Sequence, residues 1–259
     1  MNDAPNTPTV HWRADASPYS PRFDDVYRSH GQGLEQARQV FLRGCGLLPE
    51  GEAVPLWAQQ AQWQVLETGF GLGLNFLATW QAWQTWRAQQ FESGAAQQPQ
   101  RLFFTSVEAW PVTAADIRRS AQPWPELAPL CQALCAQWHG LLPGLHRLEF
   151  DGGQVQLRLL IGDAARLLPS LDTAPDSVFL DGFAPQRNPA MWDQTLLQAL
   201  ARLCRPGTRL ATWCVAAAVR EGLERVGFEV HRMPGLAPKR QRLQAVFAPA
   251  TSAAVTQSP

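Results

Sequence analysis

The stretch ETGFGLGLNFL (67–77) places glycines at 69, 71 and 73, directly after the apolar run WQVL (63–66). Glycine lacks the Cβ that holds a neighbour away, so glycines at alternate positions mark backbone that must pass very close to something. The spacing excludes two phosphate-binding patterns. A dinucleotide fingerprint needs G-x-G-x-x-G, whereas Leu74 holds the third position and glycine comes one residue early, at Gly73. A P-loop needs Gly-Lys-Ser/Thr, and the only lysine of the chain is Lys239.

The rest of the chain sets this turn in an alternating pattern. WQVLE (63–67), RLFFTSVE (101–108), VQLRLLIGD (155–163), SVFLDG (177–182) and RLATWC (209–214) read as buried strands, and FEVHRM (228–233) with RLQAVF (242–247) as a final antiparallel pair. A helix is expected over 75–90, where Phe76, Leu77, Trp80, Trp83 and Trp86 recur at helical spacing. Further helices are expected over 113–120, 164–170, 190–204 and 216–226. Strand–helix alternation predicts an α/β domain, with a mostly parallel seven-stranded sheet covered on both faces. Ligands in such sheets bind outside the carboxyl ends of the strands. Residues 1–20 read as a flexible segment, 21–248 as the domain, 121–150 as a small helical insertion within it, and 249–259 as a tail or linker.

Composition narrows the chemistry. Formal net charge is zero, so no global field points to a polyanionic partner. Five cysteines with no CxxC pair, and five histidines with no HxxxH pair, predict neither a disulfide framework nor a metal site. Cys131 and Cys135, one helical turn apart, read as packing residues. The absence of a long apolar run or of a signal-peptide pattern predicts no membrane partner and a cytoplasmic location.

The unit strand–Glu–x–Gly–x–Gly–x–Gly–helix resembles the first motif of class I S-adenosylmethionine-dependent methyltransferases, which have a Rossmann-like fold. The resemblance implies S-adenosyl-L-methionine as cofactor, held by Glu67, Gly69, Phe70, Gly71, Gly73 and Asn75. Glu108 ends the second strand, where a carboxylate can accept both ribose hydroxyls; it also reads as an exposed strand-end residue. Asp163 follows the third strand, where the resemblance implies contact with the adenine amino group; it reads equally as a helix N-cap. Asp181 follows the fourth strand, beside the cofactor. The Asp181-Gly182 pair alone would signal a turn.

RFDDVYRS (22–29), GLEQARQVFL (33–42), LDGFAPQRNPAMW (180–192), ARLCRPGTRLATW (201–213) and VREGLERVGFEV (219–230) resemble the methyltransferase domain of the MnmC family. The likeness implies methylation of 5-aminomethyl-2-thiouridine at the tRNA wobble position, giving 5-methylaminomethyl-2-thiouridine, with the anticodon region of tRNA as partner. Asp181 would orient the amine and accept its proton. Phe183, Pro185 and Trp192 would wall the acceptor pocket, and Asp24, Asp25 and Tyr27 would close over it. Between residues 202 and 242, nine basic residues stand against three acidic ones. Lys239, Arg240 and Arg242 in that segment are the expected RNA contacts. With only a short stretch after Phe247, no FAD oxidase domain is expected. The chain then reads as a stand-alone form of the MnmD kind or as one cut at a linker. The amine precursor comes from a separate enzyme or a missing C-terminal oxidase domain. The same fold also serves small-amine methyltransferases and aminopropyltransferases, and a non-catalytic RNA-binding module would keep it too.

Overall fold

Val65 and Phe179 pack on one face of the central sheet while their neighbours Leu66 and Val178 pack on the other. Successive strand residues point to opposite faces, so burial on both sides makes these strands read as continuous apolar runs. The structure is a computed structural model that describes residues 10–28, 31–48, 51, 53–92, 101–237 and 240–248.

Three short strands open the chain, β1 (His11–Trp12), β2 (Pro18–Ser20) and β3 (Asp25–Val26), and form an antiparallel sheet of their own. Helix α1 (Gly33–Gln36) continues into π-helical turns at Ala37–Leu42. Then come β4 (Gln62–Glu67), α2 (Leu74–Glu92), β5 (Arg101–Glu108), α3 (Ala114–Ala121), α4 (Ala128–Gln137), β6 (Gly144–Phe150) and β7 (Val155–Ile161). The chain continues through α5 (Ala164–Leu167), β8 (Ser177–Phe179), α6 (Gln194–Leu203), β9 (Arg209–Thr212), α7 (Ala217–Arg225), β10 (Phe228–Pro234) and β11 (Gln241–Phe247).

The second sheet has the order β10-β11-β9-β8-β4-β5-β7-β6. Strands β7, β5, β4, β8 and β9 are parallel, and β11 and β10 close one edge antiparallel. The chain passes from β4 to β5 on one side and returns to β8 on the other, so a crevice opens at the carboxyl ends of β4, β5 and β8.

Three expectations are corrected by this architecture. The sheet has eight strands, not seven, and 121–150 is not wholly helical. It holds α4 and then β6, which pairs antiparallel with β7 from Gly144↔Ile161 to Phe150↔Val155. On this edge strand only Leu148 and Phe150 are buried, so the alternation that announces a strand is weak. Residues 10–20, read as part of a flexible segment, carry β1 and β2; residues 1–9 and the tail at 249–259 lie outside the described residues.

Helix α2 anchors the face opposite α6 and α7. Phe76, Leu77, Trp80 and Trp83 are all buried, and the Trp80 ring packs at a tilt against Phe150 with ring centroids 4.5 Å apart. Cys131 and Cys135 are buried in α4, as packing residues would be.

Candidate functional site

The glycine turn leaves β4 in a shape that side chains resist. Gly71 has φ +53° and Gly73 φ +74°, both in the left-handed region. A Cβ on Gly73 would stand 2.9 Å from the Phe70 ring, so this glycine makes room for Phe70. Phe70 in turn stacks on Trp138, with centroids 5.0 Å apart.

Gly69 packs beside the loop after β8. A Cβ there would lie 3.4 Å from the Asp181 carbonyl oxygen. Thr68 fastens the two strand ends: its hydroxyl donates to the Asp181 carbonyl at 2.8 Å and accepts from the Asp181 N–H at 3.0 Å. The turn and the carboxylate thus open into one cavity of about 460 Å³, lined by both Gly71 and Asp181. That volume falls within the range of cofactor and ligand sites.

The Asp181 side chain is held by named donors. Trp213 Nε1 and the Gly182 N–H each donate to Oδ1 at 2.9 Å, and Asn75 Nδ2 donates to Oδ2 at 2.9 Å. Asn75 Nδ2 also donates to Glu67 Oε1 at 2.9 Å, while Ser106 Oγ donates to Glu67 Oε2 at 2.7 Å. Glu67 is fully buried. Burial raises its carboxyl to about 8; the Ser106 and Asn75 hydrogen bonds oppose the shift, and the nearby Asp181 and Glu108 charges add to it.

Glu108 lines the cavity from the end of β5. It accepts from the Gly71 N–H at 2.9 Å and the Trp110 N–H at 2.7 Å. Burial pushes its carboxyl up against these backbone donors. Asp163 also lines the cavity, and its side chain caps α5 by accepting from the Arg166 N–H at 3.0 Å. Asp163 thus caps α5 and lines the cavity at once.

The N-terminal sheet covers the other side. Phe23 stacks on Phe183 at 4.6 Å and Tyr27 meets its edge at 5.0 Å. Asp25 Oδ2 accepts from the Ala184 N–H at 2.9 Å, tying the N-terminal segment to the loop after β8. Burial first, and the Glu108 charge second, push the Tyr27 hydroxyl well above its usual range.

Several expected site residues stand elsewhere. Glu67 is sealed beneath the turn and does not line the cavity, and Gly73 backs Phe70 instead of facing it. Pro185 is not in the wall. Trp192 is buried under it, donating from Nε1 to the Phe183 carbonyl at 2.7 Å. Asp24 sits on the surface in an ion pair with Arg187 at 2.7 Å and accepts from the Tyr19 hydroxyl. Arg240 is exposed, and Arg242 donates to the Pro234 and Val40 carbonyls at 3.1 and 3.2 Å. Lys239 lies outside the described residues.

Several basic residues of 202–242 have partners within the protein. Arg202 holds the Leu168 and Pro169 carbonyls, Arg205 pairs with Asp176, and Arg220 pairs with Glu221 and Glu224. Arg209 begins β9, at the end of the sheet away from the cavity.

Thr68, Phe23, Trp110 and Trp213 are among the cavity residues that the sequence did not announce. Trp213 follows β9, a parallel strand whose carboxyl end opens on the same crevice, and that position was the available signal. Among the described residues no group of three or more His, Cys, Asp or Glu could hold a metal ion, and no helix is long and apolar enough to cross a membrane.

Comparison with known proteins accords with this geometry. The sequence profile of a family described as "S-adenosyl-L-methionine-dependent methyltransferase" matches residues 125–248. The chain is 58% identical over 240 residues to the "tRNA 5-methylaminomethyl-2-thiouridine biosynthesis bifunctional protein MnmC" of Acidovorax sp. (strain JS42), covering 93% of this chain and 35% of that protein. The protein of the same name from Paracidovorax citrulli is 56% identical over 241 residues, with 93% and 35% covered. The chain thus spans about a third of the length of these curated relatives. A crystal structure of MnmC2 from Aquifex aeolicus superposes with TM-score 0.70 over 95% of this chain and 72% of that chain; at 19% identity it attests the fold alone.

Proposed function

We propose that this chain, an S-adenosyl-L-methionine-dependent methyltransferase domain related to that of the MnmC proteins, methylates the amine of 5-aminomethyl-2-thiouridine at the tRNA wobble position. The product is 5-methylaminomethyl-2-thiouridine. The observation that carries the reading is that Gly71 and Asp181 line a single cavity. The chain around them is 58% identical to a protein named for biosynthesis of that nucleoside. The aminomethyl precursor is made outside this domain, by a separate enzyme or another part of a longer chain.

The residues present fit the cofactor. At Gly71 a Cβ would project toward the Tyr27 ring, 3.5 Å away, into the space that the cavity offers. Glu108 and Asp163 face the same space with acceptor oxygens suited to ribose hydroxyls and an adenine amino group. Bound there, S-adenosyl-L-methionine supplies an activated sulfonium methyl group.

The remaining work falls to the side chains. A primary alkylamine has a pKa of about 10, near that of lysine, and its protonated form has no lone pair with which to attack. Asp181 can accept a hydrogen bond from the amine and take up its proton, directly or through water. A carboxylate also favours the cationic amine, which opposes deprotonation. Orientation is therefore the larger part of its role, and the Trp213, Gly182 and Asn75 donors fix that orientation. Phe183 and the Phe23 and Tyr27 rings offer apolar walls for the uridine; base–aromatic stacking is worth ~1–3 kcal/mol per base.

The test is transfer of label from S-adenosyl-L-methionine to tRNA taken from a strain lacking the modification. Label on the wobble nucleoside supports the assignment. Binding of tRNA without transfer contradicts it.

A further inference from the structure

Arginine planes lie over aromatic rings at five places among the described residues, and four of them surround the N-terminal sheet. Arg13 covers Tyr19 at 4.3 Å, Arg22 covers Trp110 at 3.7 Å, Arg119 covers Trp12 at 4.5 Å and Arg28 covers Trp124 at 4.9 Å. Such contacts occur about once per 70–80 residues, so four confined to β1–β3 and the segment around α3 are a local concentration.

The platform starts at the cavity mouth. Trp110 lines the cavity and is 40% exposed, and the Arg22 guanidinium lies on its face. From there the surface runs to α3, where Trp12 Nε1 donates to Asp116 at 2.9 Å and Arg119 lies over the indole. Arg13, Arg22, Arg118 and Arg119 are exposed. The carboxylates of the same elements are engaged by donors within the protein. Asp15 accepts from the Ser17 N–H, Asp25 from the Val26 and Ala184 N–H groups, Asp116 from Trp12 and Thr113, and Asp24 pairs with Arg187.

We infer that the N-terminal sheet and α3 form the docking face for the single-stranded RNA loop that carries the acceptor base. The inference rests on the function proposed above and moves the RNA footprint away from the C-terminal basic segment. Arginine recognises phosphate bidentately and stacks on bases, and unstacked loop bases pack on aromatic and guanidinium planes. A face that offers both, continuous with the methylation cavity, suits a looped strand better than a duplex, whose bases are already stacked.

The experiment measures tRNA dissociation constants by fluorescence anisotropy across a salt series. Cofactor binding and methylation are followed on the same preparations. The variants are Arg22→Gln/Arg119→Gln, Arg13→Gln/Arg118→Gln and, as control, Arg240→Gln. Each double variant should lose about tenfold or more in tRNA affinity at ~0.1 M salt and flatten the log–log salt slope by about one to two, with cofactor affinity retained. Arg240→Gln should match wild type. Wild-type affinity and slope in both double variants, with wild-type enzyme methylating tRNA, would overturn the docking face and leave the functional assignment standing. A loss confined to Arg240→Gln would overturn it likewise. A wild-type protein that neither binds nor methylates tRNA would overturn both.

Discussion

Asn75 Nδ2 donates to Asp181 Oδ2 at 2.9 Å, and the same nitrogen donates to Glu67 Oε1 at 2.9 Å. One amide group therefore couples the cavity carboxylate to a buried acid that never meets the cavity. Position 75 reads as the first turn of a helix in sequence, yet its side chain spans two strand ends.

Replacing Asn75 by Leu removes both hydrogen bonds and leaves buried Glu67 oxygen without that donor. Stability should fall by ~1–3 kcal/mol, the usual cost of an unsatisfied buried polar group. The kcat should fall more than KM rises, because Asp181 loses orientation while the cavity walls remain. Chemical denaturation and steady-state kinetics check the two parts separately.

Asp181→Asn keeps the shape of the side chain and should keep cofactor affinity by calorimetry. Methyl transfer in a single turnover should slow by ~100-fold or more, the range in which a positioned acid–base group contributes. A near wild-type rate would remove Asp181 from the mechanism.

Glu67 gives a pH signature. Its carboxyl is raised from the ordinary 4.5 to about 8 by burial, so the folded protein holds a proton that the unfolded chain releases. The resulting stability is full below the unfolded value, declines as pH rises from about 4.5 through about 8, and is gone above that. Within the window each pH unit removes up to ~1.4 kcal/mol. Glu67→Gln should abolish this component. Thermal melts from pH 5 to 9 should show the wild type losing ground to the variant as pH increases; parallel curves would contradict the burial argument.

The glycines separate shape from binding. Gly73→Ala combines φ +74° with a Cβ 2.9 Å from the Phe70 ring, so it should lower the melting temperature clearly. Gly71→Ala, at φ +53° with its nearest contact 3.5 Å away, should cost less stability, ~1–2 kcal/mol, and weaken cofactor binding more. Melting temperature and cofactor titration on both variants distinguish the two roles.

The parallel strands, the glycine turn and the Asp181 loop were legible because each has a strong local pattern. Runs such as RLFFTSVE are buried on both faces, and β5 occupies the expected residues 101–108. Edge strand β6 was not legible, since only Leu148 and Phe150 are buried in it. Glu67 and Trp192 looked like site residues by position along the chain. Whether such a side chain faces the cavity or supports it from behind depends on contacts with distant residues. Glu67 meets Ser106 and Asn75, and Trp192 meets the Phe183 carbonyl and the Trp213 ring. The partners of the basic run from 202 to 242 are likewise set by the fold. A count of arginines does not reveal that Arg205 and Arg220 have carboxylate partners at hand.

The most direct test of the account is mass spectrometry of the nucleosides released from tRNA after incubation with deuteromethyl-labelled S-adenosyl-L-methionine. The tRNA substrate would carry the aminomethyl group. The account predicts the labelled methyl on the nitrogen of the wobble 5-aminomethyl-2-thiouridine. Label on any other nucleoside, or an unmodified wobble nucleoside alongside intact cofactor binding, would contradict it.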